Sequence, residues 1–184
     1  MANFPSLSEN PTLAEVYTRF NESAHALFQQ IDIVMRGDTP LSIGERELIA
    51  AYVSSLNSCS FCLGAHAEIA KGFGVEEAVI QALVTENFDD CIDDRDAALF
   101  RFIRKVNSNS SRITSKDVES LVQLGWSEEA IFSAVSICAL FNQINRVVNS
   151  TGCKNSNPLK EIVGRKVESY EAAMKNAGVL NVAG

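Results

Sequence analysis

The stretch Ser42-Ile43-Gly44-Glu45-Arg46-Glu47-Leu48-Ile49-Ala50-Ala51-Tyr52-Val53-Ser54-Ser55-Leu56-Asn57-Ser58-Cys59-Ser60-Phe61-Cys62-Leu63-Gly64-Ala65-His66 decides how this chain is read. Ser42 and Glu45 stand three apart ahead of an apolar run. This is the spacing of a capping box, in which each side chain satisfies a free backbone donor of the first turn. The helix they open, Ile43 to about Leu56, is expected to bury Leu48, Ile49, Tyr52, Val53 and Leu56. Asn57-Ser58-Cys59-Ser60 is rich in residues that favour caps and turns, so the helix should break there. A new helix is expected from near Ser58 to Gly72.

Outward from that stretch the punctuation is helical throughout. From Leu13 to Met35 apolar residues recur three and four apart, with Thr12 as N-cap and Gly37 as stop, which predicts one helix. Further helices are expected at about Val75–Glu86, Asp94–Asn107, Ser115–Leu124 and Ser127–Asn149, the last ending before Gly152. Pro158 to Lys175 has weaker apolar spacing and reads as part of a C-terminal arm over about residues 158–184. The fold class is therefore all-α, a compact bundle of about seven or eight helices in a single domain over residues 1–184. Gly74-Val75-Glu76-Glu77-Ala78-Val79-Ile80 is similar to Gly125-Trp126-Ser127-Glu128-Glu129-Ala130-Ile131. Two related halves packed face to face would explain the match, and so would the common preference for Glu at helix starts.

Of the 184 residues 46% are hydrophobic and 21% charged, which suits a globular protein with an ample core. A net charge of −7 argues against nucleic acid as a partner, because a phosphate backbone needs clustered Lys and Arg. The same balance disfavours an anionic membrane surface. The N-terminus shows no charged leader followed by an apolar stretch, and no run of apolar residues reaches membrane-helix length, so the expected location is cytoplasmic. In a reducing compartment the five cysteines, an odd number, point to metal, redox or buried thiols rather than a disulfide framework.

Cys59 and Cys62 are three apart, and His66 follows Cys62 by four. On one helix all three would share a face. A thiol in a first helical turn feels the positive end of the dipole, which favours the nucleophilic thiolate. A second thiol three residues away can resolve the oxidised first one by forming a disulfide. His66 is placed to move a proton, and Glu47, on the preceding helix, to orient it if the two helices fold back on each other. A zinc site usually draws four ligands; Cys59, Cys62 and His66 supply three at most, leaving Cys91, Cys138 or Cys153 as the source of a fourth. Cys138 lies in an apolar run and reads as a small hydrophobe, while Cys91 and Cys153 fall in predicted loops with nothing beside them to activate a thiol. Asn142, Asn145 and Arg146 are unusual after so apolar a run; they line the site or an interface, or mark an exposed helix end. No flavin, nicotinamide or haem motif is present, and no cofactor is expected.

The segment Glu47 to His66 resembles the alkylhydroperoxidase D-like family, within the carboxymuconolactone decarboxylase superfamily. That family's motif is a Glu, eleven residues, CxxC, three residues and a His; Glu47, Cys59, Cys62 and His66 match it position by position. Phe141-Asn142-Gln143-Ile144-Asn145-Arg146-Val147-Val148 is similar to a second block of its uncharacterised peroxidase-related branch. The resemblance implies an all-α fold and thiol-dependent reduction of alkyl hydroperoxides or hydrogen peroxide, with recycling by an external dithiol. It implies Cys62 as the peroxidatic thiol, Cys59 as the more exposed resolving thiol, and His66 with Glu47 as proton relay. It also implies a homo-oligomer, a trimer or hexamer. Phe61 stands where the best-known members carry a histidine, which removes one proton donor, and decarboxylase members generally lack the CxxC. Two other readings of the same residues are a redox sensor with a reversible disulfide and little turnover, and a structural zinc module.

Overall fold

The computed structural model describes residues 2–20, 23–88, 91–153, 166–176 and 180. Among them are nine α-helices and no β-strand: α1 (Leu13–Arg19), α2 (Ala24–Arg36), α3 (Ile43–Leu56), α4 (Ser60–Gly72), α5 (Glu77–Val84), α6 (Asp94–Asn109), α7 (Ser115–Gln123), α8 (Glu128–Thr151) and α9 (Tyr170–Asn176). The fold is all-α, as the helical punctuation requires.

α3 is the axis around which the others are arranged. The Ser42–Glu45 capping box starts it, with Glu45 N–H donating to Ser42 Oγ at 3.2 Å and Ser42 N–H to the Glu45 carboxylate at 2.7 Å. Every residue from Arg46 to Ser54 is buried, and Leu56 only half so. Leu48, Ile49, Tyr52 and Val53 are buried as expected, and the burial extends further because α2, α4, α5, α6 and α8 all pack against α3, as a helix apolar around its circumference demands. Gly44 permits one close approach. A Cβ there would meet Val75 Cγ2 at 3.2 Å and Phe73 O at 3.3 Å, where the turn after α4 crosses α3.

The single helix expected from Leu13 to Met35 is two, α1 and α2, interrupted after Phe20; Asn21 and Glu22 lie outside the described residues. Thr12 caps α1 through Glu15 N–H, and Gly37 follows α2, both as expected. The two similar segments adopt the same turn. Gly74 and Gly125 have φ of 92° and 91°, and Val75 and Trp126 N–H bond the carbonyls five residues back. Only glycine enters that left-handed conformation without a Cβ penalty. α8 ends at Gly152, also left-handed at φ 76°. By length and hydropathy α8 would pass for a membrane span; half of its most apolar window is buried in the bundle, which accounts for its composition.

Of the expected C-terminal arm, residues 158–165, 177–179 and 181–184 lie outside the described residues, but residues 170–176 form a helix, α9. At seven residues α9 is too short to hold itself, since isolated helices are marginal below roughly 12 residues. α2 supplies what it lacks. The Asp32 carboxylate accepts from Ser169 Oγ at 2.6 Å and from the free amides of Tyr170 and Glu171 at 2.5 and 3.1 Å, which places an anion at the positive end of α9. Asp32→Ala should therefore release α9 while leaving the bundle folded. Hydrogen exchange should show amides near Tyr170 exchanging much faster, with a global cost of about 1–2 kcal/mol; unchanged protection there would show that α9 is held by other means.

Candidate functional site

The site grows from the junction of two helices. α3 closes its last turn through Ser58 N–H to Ser55 O at 2.9 Å and Cys59 N–H to Ser54 O at 2.8 Å. Ser58 takes the left-handed conformation this closure requires, φ 53°, although it is not a glycine. The chain then reverses, so that Cys59 is the N-cap of α4 and Cys62 lies in its first turn. The expected helix start near Ser58 is thus moved to Ser60, and the shared face of Cys59, Cys62 and His66 is corrected. Cys62 and His66 stand one turn apart on α4, whereas Cys59 precedes the helix because its amide is committed to α3.

That placement polarises the two thiols. Cys59 is pushed down to about 7, first by the hydrogen bond from the Cys62 thiol, against the opposing effect of burial. The Cys62 amide, the Asn145 side chain and the Phe61 amide add to the effect. Cys62 is pushed up, because its proton is held by Cys59 and because it is buried beside that sulfur's charge. Of the two thiols Cys59 therefore ionises first, while Cys62 keeps its proton. Exposure does not distinguish them: Cys59 is 1% and Cys62 3% exposed, which corrects the expectation of a more exposed Cys59.

His66 is held from behind. Its Nδ1 lies 2.6 Å from Glu47 Oε2, on a carboxylate with no solvent exposure. Arg36 from α2 pairs with Glu47 Oε1 at 2.7 Å, and the Tyr170 hydroxyl from α9 donates to both carboxylate oxygens at 2.7 and 2.9 Å. Phe141 of α8 packs edge-on to the imidazole, with ring centroids 4.5 Å apart. Burial would raise the Glu47 carboxyl; attraction to His66 and its hydrogen bond, then Arg36 and Tyr170, outweigh it and hold Glu47 below its ordinary value. With Nδ1 engaged, the ring nitrogen that can serve a ligand is Nε2.

His66 and Cys62 line one small cavity of about 50 Å³, walled by apolar side chains that include Phe28, Phe61, Phe141, Ile144 and Met174. Cys59 is not among its lining residues. Tyr17 and Tyr170 are its other polar members, and the buried Tyr17 hydroxyl has no hydrogen-bond partner among the described residues. Burial raises the Tyr17 phenol, and so do the nearby Cys62 and Cys153 sulfurs. Cys153 is thus a buried neighbour of the site rather than a remote loop thiol. Cys138 is buried and pushed up to about 11 by that burial, and Cys91 is exposed. Among the described residues no three His, Cys, Asp or Glu side chains gather as metal ligands.

The structure thus joins Glu47 to His66, places His66 with Cys62 on one cavity, and sets Cys59 against Cys62. Sequence reasoning missed Arg36, Tyr17 and Tyr170. Arg36 reads as an ordinary basic residue in a last helical turn, and Tyr170 reaches Glu47 across a sequence separation of 123 residues. Asn145, noticed for its polarity in an apolar run, lies fully buried beside the sulfurs.

Removing the carboxylate charge should be costly. Glu47→Gln leaves the Arg36 guanidinium buried without a counter-charge, and stability near neutrality should fall by about 3–5 kcal/mol. A depressed folded value stabilises above the unfolded one, ordinarily 4.5, and the gain is lost as pH falls through the folded value. In denaturant titrations the gap between wild type and Glu47→Gln should therefore narrow in acid. A gap independent of pH would contradict the clamp.

Comparison with known proteins follows the same lines. Residues 13–105 match the profile of the Carboxymuconolactone decarboxylase family. An uncharacterized peroxidase-related protein from Silicibacter sp. TM1040 is 28% identical, with a TM-score of 0.72 over 79% of this chain and 76% of that one. The alkylhydroperoxidase AhpD core of an uncharacterized peroxidase-related protein from Ralstonia eutropha JMP134 is 26% identical, with a TM-score of 0.74 over 82% and 79%. A protein of unknown function from Agrobacterium tumefaciens, 18% identical with a TM-score of 0.65 over 76% and 94%, shares the fold. No curated protein matches the chain. The profile spans half the sequence, all of it within the bundle that carries the cysteines, and the chain belongs to the carboxymuconolactone decarboxylase family.

Proposed function

We propose that the chain is a thiol peroxidase that reduces hydrogen peroxide or small alkyl hydroperoxides through Cys59 and Cys62. The observation that carries this reading is the cavity that Cys62 shares with His66, with Cys59 hydrogen-bonded behind it. Its volume corresponds to about four waters, at roughly 10–15 Å³ for each, which suits a peroxide group with little attached to it. No Arg or Lys is among its lining residues, and His66 is already committed to the Glu47 carboxylate, which leaves no free counter-charge for a substrate carboxylate, as decarboxylation of an acidic lactone would need.

Although Cys59 is the more readily ionised thiol, Cys62 meets the substrate because it alone of the two lines the cavity. Cys62 passes its proton to the Cys59 sulfur and attacks the terminal peroxide oxygen as a thiolate. The O–O bond breaks, Cys62 becomes a sulfenic acid, and the departing alkoxide takes a proton from the His66 imidazolium. The Cys59 sulfur then attacks that of Cys62, and the Cys59 proton passes to the departing hydroxide. The disulfide forms and water leaves. An external dithiol reduces the disulfide and is itself oxidised to one. Glu47, Arg36 and Tyr170 act as positioning residues that orient His66.

The depth of both thiols also favours a second reading, a redox sensor that forms the same disulfide with negligible turnover. Peroxide consumption with dihydrolipoamide as reductant separates the two. Wild type should turn over saturably, Cys62→Ser should not turn over at all, and Tyr170→Phe should slow by roughly tenfold, about the worth of one hydrogen bond to a charged group. Undiminished consumption by Cys62→Ser would refute the peroxidase mechanism. Disulfide formation without turnover in wild type would establish the sensor.

A further inference from the structure

Beside the thiols lies a set of asparagines that the peroxide chemistry does not use. Arg146 Nη1 donates to Asn142 Oδ1 at 2.5 Å, and a guanidinium has no acceptor, so the oxygen of that amide must face it. Asn142 Nδ2 is turned inward, to Asn107 Oδ1 at 2.6 Å and to the Cys138 carbonyl at 2.9 Å. Asn107 Nδ2 in turn donates to Asn57 Oδ1 at 3.1 Å, and Asn57 Nδ2 to Asn145 Oδ1 at 3.0 Å. Each amide fixes the next, because an oxygen already accepting leaves only the NH2 to face forward. Asn145, with no solvent exposure, is last in the series. Its Nδ2 donates to Ser54 Oγ at 3.1 Å, and the Ser54 hydroxyl must accept there because its own hydrogen goes to Ala50 O at 2.7 Å. The polarity of Asn145 is thus set from both ends.

We infer that this directional chain of amides, anchored on Arg146, holds the Asn145 NH2 group against the Cys59 and Cys62 sulfurs and stabilises negative charge on the pair. An amide turned the other way would present its oxygen and repel a thiolate. In the observed sense each amide donates to the next from a cation inward, so the links polarise one another, and Asn57 Nδ2 also reaches back to Asn142 Oδ1 at 3.5 Å. Asn145 lies beside both sulfurs, and its amide favours the ionised form of each. The other titratable groups around the pair are His66 with Glu47 behind it on α4 and α3, Tyr17 on α1, and Cys153 after α8. Asn145 is a positioning residue in this scheme, since it meets neither peroxide nor reductant. Its use in peroxide reduction rests on the function proposed above, but the charge it stabilises does not.

The test is a titration of thiolate ultraviolet absorbance on the reduced full chain, which needs neither peroxide nor access to the sulfurs. Wild type should ionise its first thiol near 7. Asn145→Ala should raise that midpoint by about one pH unit, as expected for loss of one hydrogen bond to a charged group. Ser54→Ala removes only the competing acceptor of the same NH2 group, so it should leave the midpoint in place or lower it, even if it destabilises the fold. If Asn145→Ala does not fold, the exposed Arg146→Ala decides, with a smaller rise in the same direction. A midpoint unmoved by Asn145→Ala, or by Arg146→Ala in its stead, overturns the inference, as does a rise with Ser54→Ala equal to that with Asn145→Ala. A protein without turnover but with the expected shifts would refute the peroxidase and leave the amide chain standing.

Discussion

A carboxylate with no access to water can persist in its charged form only if the groups around it replace the hydration it has lost, and at Glu47 that requirement organises much of the bundle. The Arg36 cation comes from α2, His66 from α4 and the Tyr170 hydroxyl from α9, while Glu47 itself stands on α3. Four helices therefore meet at one charge. An unpaired charge at this depth would cost several kcal/mol, so each helix must be seated before the site is stable. The dependence runs outward from there. Arg36 also donates to Val167 O at 2.6 Å, and Asp32, one turn earlier on α2, caps α9. The same helix that neutralises Glu47 thus fastens the segment that carries Tyr170.

The α3–α4 junction imposes a second constraint. Carbonyls at the end of α3 need donors, and the amides of Ser58 and Cys59 provide them. Once the Cys59 amide is so used, its side chain falls at the N-terminus of α4, where the free amides of Phe61 and Cys62 face it. An N-cap is usually an oxygen-bearing residue. The Cys59 side chain makes no cap hydrogen bond, but the amides nearby favour its ionised form. The asymmetry between Cys59 and Cys62 follows from backbone geometry before any charged residue is considered.

Much of this was readable from local patterns. The capping box at Ser42 and the stop at Gly152 each depend on residues within a few positions of one another, and the structure has them as read. The pairing of Glu47 with His66 could be anticipated because an adjacent helical hairpin was a natural way to bring them together. Arg36 and Tyr170 could not, since their meeting depends on how α2 and α9 dock, which no local periodicity encodes. The break after Phe20 was hidden because apolar spacing continued across it; the pattern records which face is buried, not whether the backbone is continuous. Cys59 was misplaced by one cap position for a related reason. Three-residue spacing suits a shared helix face, but a cap and a first-turn residue have the same separation.

Two kinds of polar support meet at the thiols, and their difference has chemical sense. On the histidine side the partners are ions, suited to a base that must carry a proton and give it up. On the Cys59 side they are neutral amides. A guanidinium placed directly against the sulfur would depress its pKa much further, and a thiolate loses nucleophilicity as its pKa falls, the best attacking thiol being one that ionises near the ambient pH. Amide hydrogens give a moderate stabilisation, consistent with a Cys59 that ionises near 7. With Arg146 at the far end of the amides, its charge reaches the sulfur only through polarisation, attenuated at each link. A cation in contact would hold the thiolate; a cation at a distance leaves it able to react.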